Sequence, residues 1–130
     1  MRWVDWKPHY DLIVKQLGLN PSDDRKATFV LSSLLEERDF RPLLSNLQSE
    51  VRGKPVIICG AGPSLGEKLD SLKKSPELDN RFIVAADGAV TALLEREIRC
   101  DLLVTDLDGD FEDISNVSHS GTTTIVHGHG

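Results

Sequence analysis

A chain of 130 residues, 39% of them hydrophobic, is long enough to bury the core of one domain and too apolar for disorder to be the default. Its net charge of -6 argues against a nucleic-acid partner, because binding that backbone requires a basic face. No apolar stretch approaches the length of a membrane span, and the N-terminus does not resemble a signal peptide. Cys59 and Cys100 have no disulfide or metal-binding spacing. We therefore expect a cytoplasmic protein with reduced thiols and no membrane partner.

Residues 1–50 are predicted to form a helical section. Pro8 suits the first turn of a helix, and Gly18 suits its end. A second helix is expected to follow, with Asn20 or Ser22 as its N-cap. Residues 42–47 are compatible with a third, short helix.

From residue 54 onward, short apolar strands alternate with helical stretches. The predicted strands are 55–59, 82–86, 102–105 and 122–126. A first helix is predicted to follow the GAGPS segment and end near residue 74, a second to span 89–97, and a single helical turn to form at 113–118. Strands without polar alternation predict a parallel sheet covered on both faces. We thus expect one α/β domain over 1–130, with a Rossmann-like parallel sheet of about four strands after a helical N-terminal section.

Every unusual cluster of residues follows one of these strands. In parallel sheets, ligands bind at the carboxyl ends of the strands, so this coincidence points to a site. The glycines at 60 and 62 permit a tight turn, Pro63 suits the first helical position, and Ser64 with the free N–H groups of the helix start can hold an anion. The clusters are GAGPS (60–64), DG (87–88), DLDGD (106–110) and HGHG (127–130).

The acidic cluster at 106–110 predicts a divalent cation. Residues 87–113 contain nine acidic side chains and two basic ones, and crowded carboxylates repel each other unless a cation lies between them. If the chain stays extended, Asp106 and Asp108 point the same way, and Asp87 on the neighbouring strand can complete a Mg²⁺ site. Asp101 precedes its strand, so it either caps that strand or approaches the site only if the strand starts late. Asp110 is expected to stabilise the turn or the start of the next helix.

Three other motif interpretations are weaker. A calcium loop starting at Asp106 fails, because its sixth and twelfth positions hold Phe111 and Val117. A haloacid-dehalogenase-like phosphatase needs a later lysine, and none follows Lys74 in this sequence. A dinucleotide fingerprint lacks its third glycine at Leu65; that interpretation stays open but leaves the acidic and histidine clusters unused. His127 and His129 are compatible with a metal, with a phosphate contact or with a glycine-rich tail.

The four clusters together, extended to GAGPSL, AADGA, VTDLDG and HGHG, resemble the archaeal MptE-like 6-hydroxymethyl-7,8-dihydropterin pyrophosphokinases. These are similar in turn to the catalytic domain of thiamine pyrophosphokinase. The resemblance implies Mg²⁺-dependent transfer of diphosphate from ATP to the pterin, with release of AMP. It implies that Asp106 and Asp108 are catalytic and bind Mg²⁺ with Asp87. The residues that it places at the nucleotide or its phosphates are Gly60, Ala61, Gly62, Pro63, Ser64, Asp87, Gly88, His127 and His129.

This sequence departs from the family pattern in two respects. Cys100 replaces the usual proline before Asp101, and family members are considerably longer. We therefore expect either a truncated form or a naturally short one, with weak or absent activity. An exposed sheet edge would then favour a homo-oligomer. Two alternatives stay open: a Maf-like glycosyltransferase or nucleotide-sugar-binding protein that uses the GAGPS turn, and a non-catalytic nucleotide-binding or assembly module.

Overall fold

The computed structural model describes residues 2–76 and 78–128. The chain divides into two compact units, one built from the residues up to Glu37 together with Gly128, and one from Arg38 to His127. The expectation of a single domain stays a prediction. Within the described residues, no helix is both long and apolar enough to cross a membrane.

The first unit contains two helices, α1 (Trp3–Leu17) and α2 (Pro21–Leu35). Gly18 ends α1 in the left-handed conformation with φ 65°, as predicted. The Asn20 side chain caps α2 by accepting a hydrogen bond from the Ser22 N–H at 3.1 Å, which decides between the two predicted caps. Because α1 begins at Trp3, Pro8 lies inside the helix, and its predicted place in the first turn is wrong.

The second unit has the predicted α/β architecture. The strands match the predicted ones to within one residue, whereas the last helix is longer than predicted because Asp110 caps it early. The helix predicted over 89–97 ends at Leu94. Glu97 cannot belong to it, because its backbone is in the left-handed region with φ 56°. In chain order the elements are α3 (Arg41–Val51), β1 (Val56–Cys59), α4 (Leu65–Lys73), a single 3₁₀ turn (Leu78–Asn80), β2 (Phe82–Ala86), α5 (Ala89–Leu94), β3 (Leu102–Thr105), α6 (Phe111–His119) and β4 (Thr123–Val126).

The four strands form one sheet in the order β1-β2-β3-β4, and every pair is parallel. Connections between neighbouring parallel strands are right-handed, so three successive connections in one direction place α4, α5 and α6 on the same face. The hydrophobic core lies between this face and these helices. It consists of Cys59, Leu69, Ile83, Ala85, Ala89, Val90, Leu93, Ile98, Cys100, Leu103, Ile114 and Val117.

The opposite face of the sheet is partly open. Side chains alternate between the faces of a strand, and the residues that alternate with the core positions include Val56, Ile58 and Ile125, which are 46%, 75% and 44% exposed. The expectation that both faces are covered is therefore confirmed for the face that packs against α4, α5 and α6, and only in part for this face, where Phe82 is 2% exposed. An apolar strand pattern indicates that both faces of the strand can be buried, but it does not identify the segment that covers each face.

We expect the Leu93→Ala variant to lower the free energy of unfolding by about 2–5 kcal/mol, because it leaves a cavity in the core. Leu93 is 1% exposed, whereas the adjacent Leu94 in the same helix is 40% exposed. The Leu94→Ala variant is the matched control and should cost less than about 1 kcal/mol. Denaturant unfolding of both variants measures the difference; equal losses would contradict this description of the core.

Candidate functional site

The turns after β1, β2 and β3 meet at the carboxyl edge of the sheet. A Cβ atom on Gly88 would lie 3.6 Å from the Cβ of Ala61, which brings the GAGPS turn beside the turn after β2. A Cβ atom on Gly109 would lie 3.0 Å from the Gly88 nitrogen and 3.1 Å from the Asp87 carbonyl carbon. Only glycine allows this close approach without displacing backbone. The structure therefore gathers three of the predicted clusters at one site.

Asp87 is held in place by Thr105 on the neighbouring strand. Asp87 is in the left-handed region with φ 41°, which is uncommon for a residue with a side chain. Its Oδ1 accepts hydrogen bonds from the Thr105 hydroxyl at 2.5 Å and from the Asp106 N–H at 3.2 Å. The Thr105 oxygen in turn accepts a hydrogen bond from the Leu107 N–H at 2.8 Å. One buried hydroxyl thus ties the turns after β2 and β3 together.

The two predicted metal ligands after β3 are placed differently from each other. The strand ends at Thr105, and Leu107 is left-handed with φ 70°. The chain therefore turns between Asp106 and Asp108, and the premise of an extended segment that points both side chains the same way is wrong. Asp108 is exposed, whereas Asp106 is partly buried and its Oδ1 atom is buried without a hydrogen-bond partner.

The other acidic residues have structural roles. Asp110 is the N-cap of α6, and its Oδ1 accepts a hydrogen bond from the Asp113 N–H at 3.0 Å, which confirms the predicted role at a helix start. Asp101 lies at the opposite end of β3 from the site. Its Oδ2 accepts the Ile83 N–H and its N–H donates to the Ile83 carbonyl, both at 2.8 Å. Of the two roles left open for Asp101, the structure supports the structural one.

The GAGPS turn leaves room for a ligand. The Gly62 N–H donates to the Gly60 carbonyl at 2.8 Å, yet a Cβ atom on either glycine would meet nothing within 4 Å. The internal packing therefore does not require glycine here. Ser64 is the N-cap of α4, but its side chain makes no capping hydrogen bond. Pro63 lies in the turn before this cap, so its predicted place as the first helical residue is wrong.

The histidine cluster reaches the same edge only in part. The His127 N–H donates to the Thr105 carbonyl at 2.8 Å, which places exposed His127 beside the end of β3, while His129 lies outside the described residues. Gly128 has a structural role in the first unit. The Thr28 hydroxyl donates to its carbonyl at 2.6 Å, and a Cβ atom there would lie 2.8 Å from Leu31 Cδ2.

The predicted set of three carboxylates does not come together as a ready metal site. Over residues 2–76 and 78–128, no three His, Cys, Asp or Glu side chains are grouped so that they could hold an ion. The two thiols do not contribute chemistry either. Both cysteines are buried, and this burial raises the pKa of Cys59 and of Cys100, as expected for small core residues.

Comparison with known proteins gives a family for this arrangement. Residues 30–130 match the family model described as 6-hydroxymethylpterin diphosphokinase MptE-like. The chain belongs to this family.

Three curated relatives of this MptE-like chain are named 6-hydroxymethyl-7,8-dihydropterin pyrophosphokinase. All of this chain aligns with the proteins from Pyrococcus furiosus, at 42% identity, and Methanocaldococcus jannaschii, at 34% identity, and covers 54% of each. The Methanothermobacter thermautotrophicus protein is 36% identical over 98% of this chain and 52% of its own length. The chain therefore spans about half the length of these relatives.

Sequence reasoning missed Thr105 and Gly109 as parts of the MptE-like site. Thr105 is the last residue of β3 and only 1% exposed. A threonine at the inward position of an apolar strand, directly before an aspartate, is the signal that was present. This signal does not predict Asp87 as the hydrogen-bond partner of Thr105, because that contact depends on the register of β2 and β3.

We expect the Thr105→Val variant to lower the free energy of unfolding by about 1–3 kcal/mol, because it removes a donor to Asp87 and an acceptor for the Leu107 N–H. The Thr105→Ser variant keeps the hydroxyl and is the matched control. Amide hydrogen exchange should accelerate at Asp106 and Leu107 in the valine variant only. Faster exchange in the serine variant as well would assign the effect to the lost methyl group instead.

Proposed function

We propose that this chain carries the nucleotide and metal site of a 6-hydroxymethyl-7,8-dihydropterin pyrophosphokinase. The reaction is Mg²⁺-dependent transfer of diphosphate from ATP to the pterin hydroxymethyl group, with release of AMP. The relatives' shared name supports the pterin and the transfer. The observation that carries the proposal for this chain is the buried, unpartnered Oδ1 of Asp106 beside the tethered carboxylate of Asp87.

The fit of a magnesium ion to this edge rests on one observation, the buried Oδ1 of Asp106 without a hydrogen-bond partner. A buried carboxylate oxygen without a partner is costly unless a cation or proton satisfies it. Mg²⁺ takes one or two protein carboxylates and completes its shell with water and phosphate oxygens, so a ready cage of three acids is not required. Asp106 would be the principal ligand, with Asp108 and the second oxygen of Asp87 as further ligands. When bound, Mg²⁺ neutralises the charge of the triphosphate.

The GAGPS turn would bind the nucleotide. Without side chains on Gly60 and Gly62, the backbone leaves space for a phosphate or the sugar to approach. Ser64 and the free N–H groups at the start of α4 are donors for an anion. Ala61, Pro63 and Gly88 would form the adjoining wall, and His127 and His129 would line the phosphate end.

The reaction joins the pterin hydroxyl oxygen to the β-phosphorus of ATP. The bond from this phosphorus to the oxygen that bridges it to the α-phosphate breaks, AMP leaves with the electron pair, and the hydroxyl proton is released. Such transfers depend mainly on positioning and charge neutralisation. The residues proposed here supply both, through a fixed Asp87–Asp106 pair and an open glycine turn.

Two alternatives make different use of the same edge. A Maf-like glycosyltransferase would use the GAGPS turn and leave the paired turns after β2 and β3 without a role. A non-catalytic module would bind ATP but release no AMP.

A homo-oligomer and a cytoplasmic location are parts of the same proposal. Over residues 2–76 and 78–128, β1 and β4 are the outer strands of the sheet, and unpaired strand edges favour association. ATP and the pterin are small-molecule partners, and no nucleic acid or membrane is proposed.

We expect AMP to form only when the chain, ATP, Mg²⁺ and 6-hydroxymethyl-7,8-dihydropterin are all present. The Asp106→Asn variant should lower the rate by about 100-fold or more, as expected when a charge-stabilising group is lost at a reaction centre. Quantifying AMP and ADP by chromatography measures this directly.

The Asp110→Asn variant is the matched control, since asparagine also caps helices and one negative charge is removed from the same loop. Its rate should stay close to that of the unaltered chain. Release of ADP would contradict diphosphate transfer, and equal losses in both variants would contradict the role of Asp106. MgATP binding without any AMP would select the non-catalytic module.

A further inference from the structure

One hydrogen bond joins the first turns of α5 and α6. The Thr91 hydroxyl in α5 donates to Asp113 Oδ2 in α6 at 2.6 Å, and both residues are partly buried. Each is the third residue of its helix, since α5 begins at Ala89 and α6 begins at Phe111. Both helices start directly after a strand, so the pair links them at the ends that lie nearest the carboxyl edge of the sheet.

The Thr91 hydroxyl behaves differently from other hydroxyls in the helices of this chain. Serine and threonine side chains within a helix often donate to the carbonyl four residues earlier. For Thr91 that carbonyl belongs to Asp87, which accepts a hydrogen bond from the Val90 N–H at 3.0 Å. The Thr91 hydroxyl bonds across to α6 instead, so it restrains the placement of one helix start against the other. The helical hydroxyls that do bond back in this way are those of Thr28, Ser33, Ser49, Ser71 and Ser118.

The segment that carries two of the proposed metal ligands, residues 106–110, ends at this pair. Asp110 caps α6 by accepting a hydrogen bond from the Asp113 N–H at 3.0 Å. Just before it, Gly109 packs so closely on the turn after β2 that an added Cβ atom would lie 3.0 Å from the Gly88 nitrogen. The position of the first turn of α6 therefore determines how this acidic segment lies against that turn.

Two hydrogen bonds thus hold the acidic segment, one at each end. The Thr105 hydroxyl bonds to Asp87 at its beginning, and the Thr91 hydroxyl bonds to Asp113 at its end. Between them lies Asp106, whose Oδ1 atom is buried without a hydrogen-bond partner. A cation at this oxygen would take its further ligands from the same segment, so their placement depends on both bonds.

We propose that Thr91 and Asp113 are positioning residues for the proposed Mg²⁺ site, and that their hydrogen bond holds Asp108 where it can share an ion with Asp106. This inference rests on the proposed function. Asp108 is exposed and follows the left-handed Leu107, so its position depends on where the segment is held at its far end. Neither member of the pair is proposed as a ligand. Partners that orient metal ligands typically contribute about 10- to 100-fold to metal affinity.

A competing interpretation makes Asp113 a ligand itself. A ligand role requires the negative charge of Asp113, whereas a positioning role requires only an acceptor for the Thr91 hydroxyl. Asparagine keeps an acceptor oxygen and removes the charge. The Asp113→Asn variant therefore separates the two interpretations.

Calorimetric titration with ATP at a series of Mg²⁺ concentrations tests the pair. The quantity compared is the Mg²⁺ requirement, which is the Mg²⁺ concentration that gives half-maximal ATP binding. We expect the Thr91→Val variant to raise it by about tenfold, because the donor to Asp113 is lost while the shape of the side chain is kept. Affinity for ATP without Mg²⁺ should equal that of the unaltered chain. The Thr91→Ser and Asp113→Asn variants should keep a Mg²⁺ requirement close to the unaltered one.

The Leu93→Ala variant controls for a general loss of stability in α5. Leu93 belongs to the same helix and is 1% exposed in the core, so its truncation should lower the unfolding temperature more than Thr91→Val does. Measured well below its unfolding temperature, this variant should keep the Mg²⁺ requirement of the unaltered chain. A requirement that rises with the loss of stability in both variants would overturn the proposal.

A second measurement, amide hydrogen exchange of the chain without ligands, locates the effect. Exchange should accelerate at Asp113 and Ile114, whose N–H groups donate to Asp110, in the Thr91→Val variant but not in Thr91→Ser. Exchange at Leu107, which is bonded at the other end of the segment, should stay unchanged. Unchanged exchange at the start of α6 would overturn the proposal.

The outcomes for the Mg²⁺ requirement decide between the interpretations. The proposal is overturned if Thr91→Val leaves the requirement unchanged, or if Thr91→Ser raises it equally. It is also overturned if Asp113→Asn raises it at least as much as Thr91→Val does, which would make the charge of Asp113 the decisive property. Equal binding of ATP by the unaltered chain without Mg²⁺ contradicts the proposed function, and this inference falls with it. A failure confined to the variants leaves the proposed function intact.

Discussion

The site depends on one hydrogen bond, from the buried Thr105 hydroxyl to Asp87 Oδ1 at 2.5 Å. It joins the ends of two neighbouring strands and holds an aspartate whose backbone is left-handed. The Thr105 hydroxyl oxygen also accepts a hydrogen bond from the Leu107 N–H, so Thr105 sets the turn that carries Asp106 as well. Without this hydroxyl, two strained residues would lose the contacts that offset their backbone conformation. Charge placement at the site therefore follows from a neutral side chain in the core.

The one-sided sheet has a functional consequence. Three helices bury one face, while Ile58 remains 75% exposed on the other, and among the described residues the strand next to the GAGPS turn has a neighbour on one side only. The tethered carboxylates lie inside the folded unit, but the turn proposed to bind nucleotide lies at its border. The proposed nucleotide contacts and the proposed metal ligands therefore lie on different strands of the sheet, the former after β1 and the latter after β2 and β3.

The strands were predictable, because short apolar runs bounded by turn residues admit few alternatives. Phe82–Ala86 and Leu102–Thr105 have the predicted bounds. The parallel sheet and the gathering of the clusters at one edge followed from general rules of topology. The orientation of Asp108 did not, because the left-handed Leu107 depends on a tertiary hydrogen bond to Thr105. Pro8 and Pro63 were misplaced because proline tolerates several positions near a helix start. The partial exposure of the face opposite the helices was not predicted, because the pattern of one strand does not identify what packs on it.

The central claim is that Asp106 and its tethered neighbour form a metal-dependent nucleotide site. Calorimetric titration of the chain with ATP, in the presence and in the absence of Mg²⁺, tests it most directly, since it requires neither turnover nor a partner. The account predicts saturable binding of ATP with Mg²⁺ present. Without Mg²⁺ the affinity should fall by about tenfold or more, which corresponds to about 1.4 kcal/mol of binding free energy. Binding of ATP that is equally tight without the metal would contradict the account.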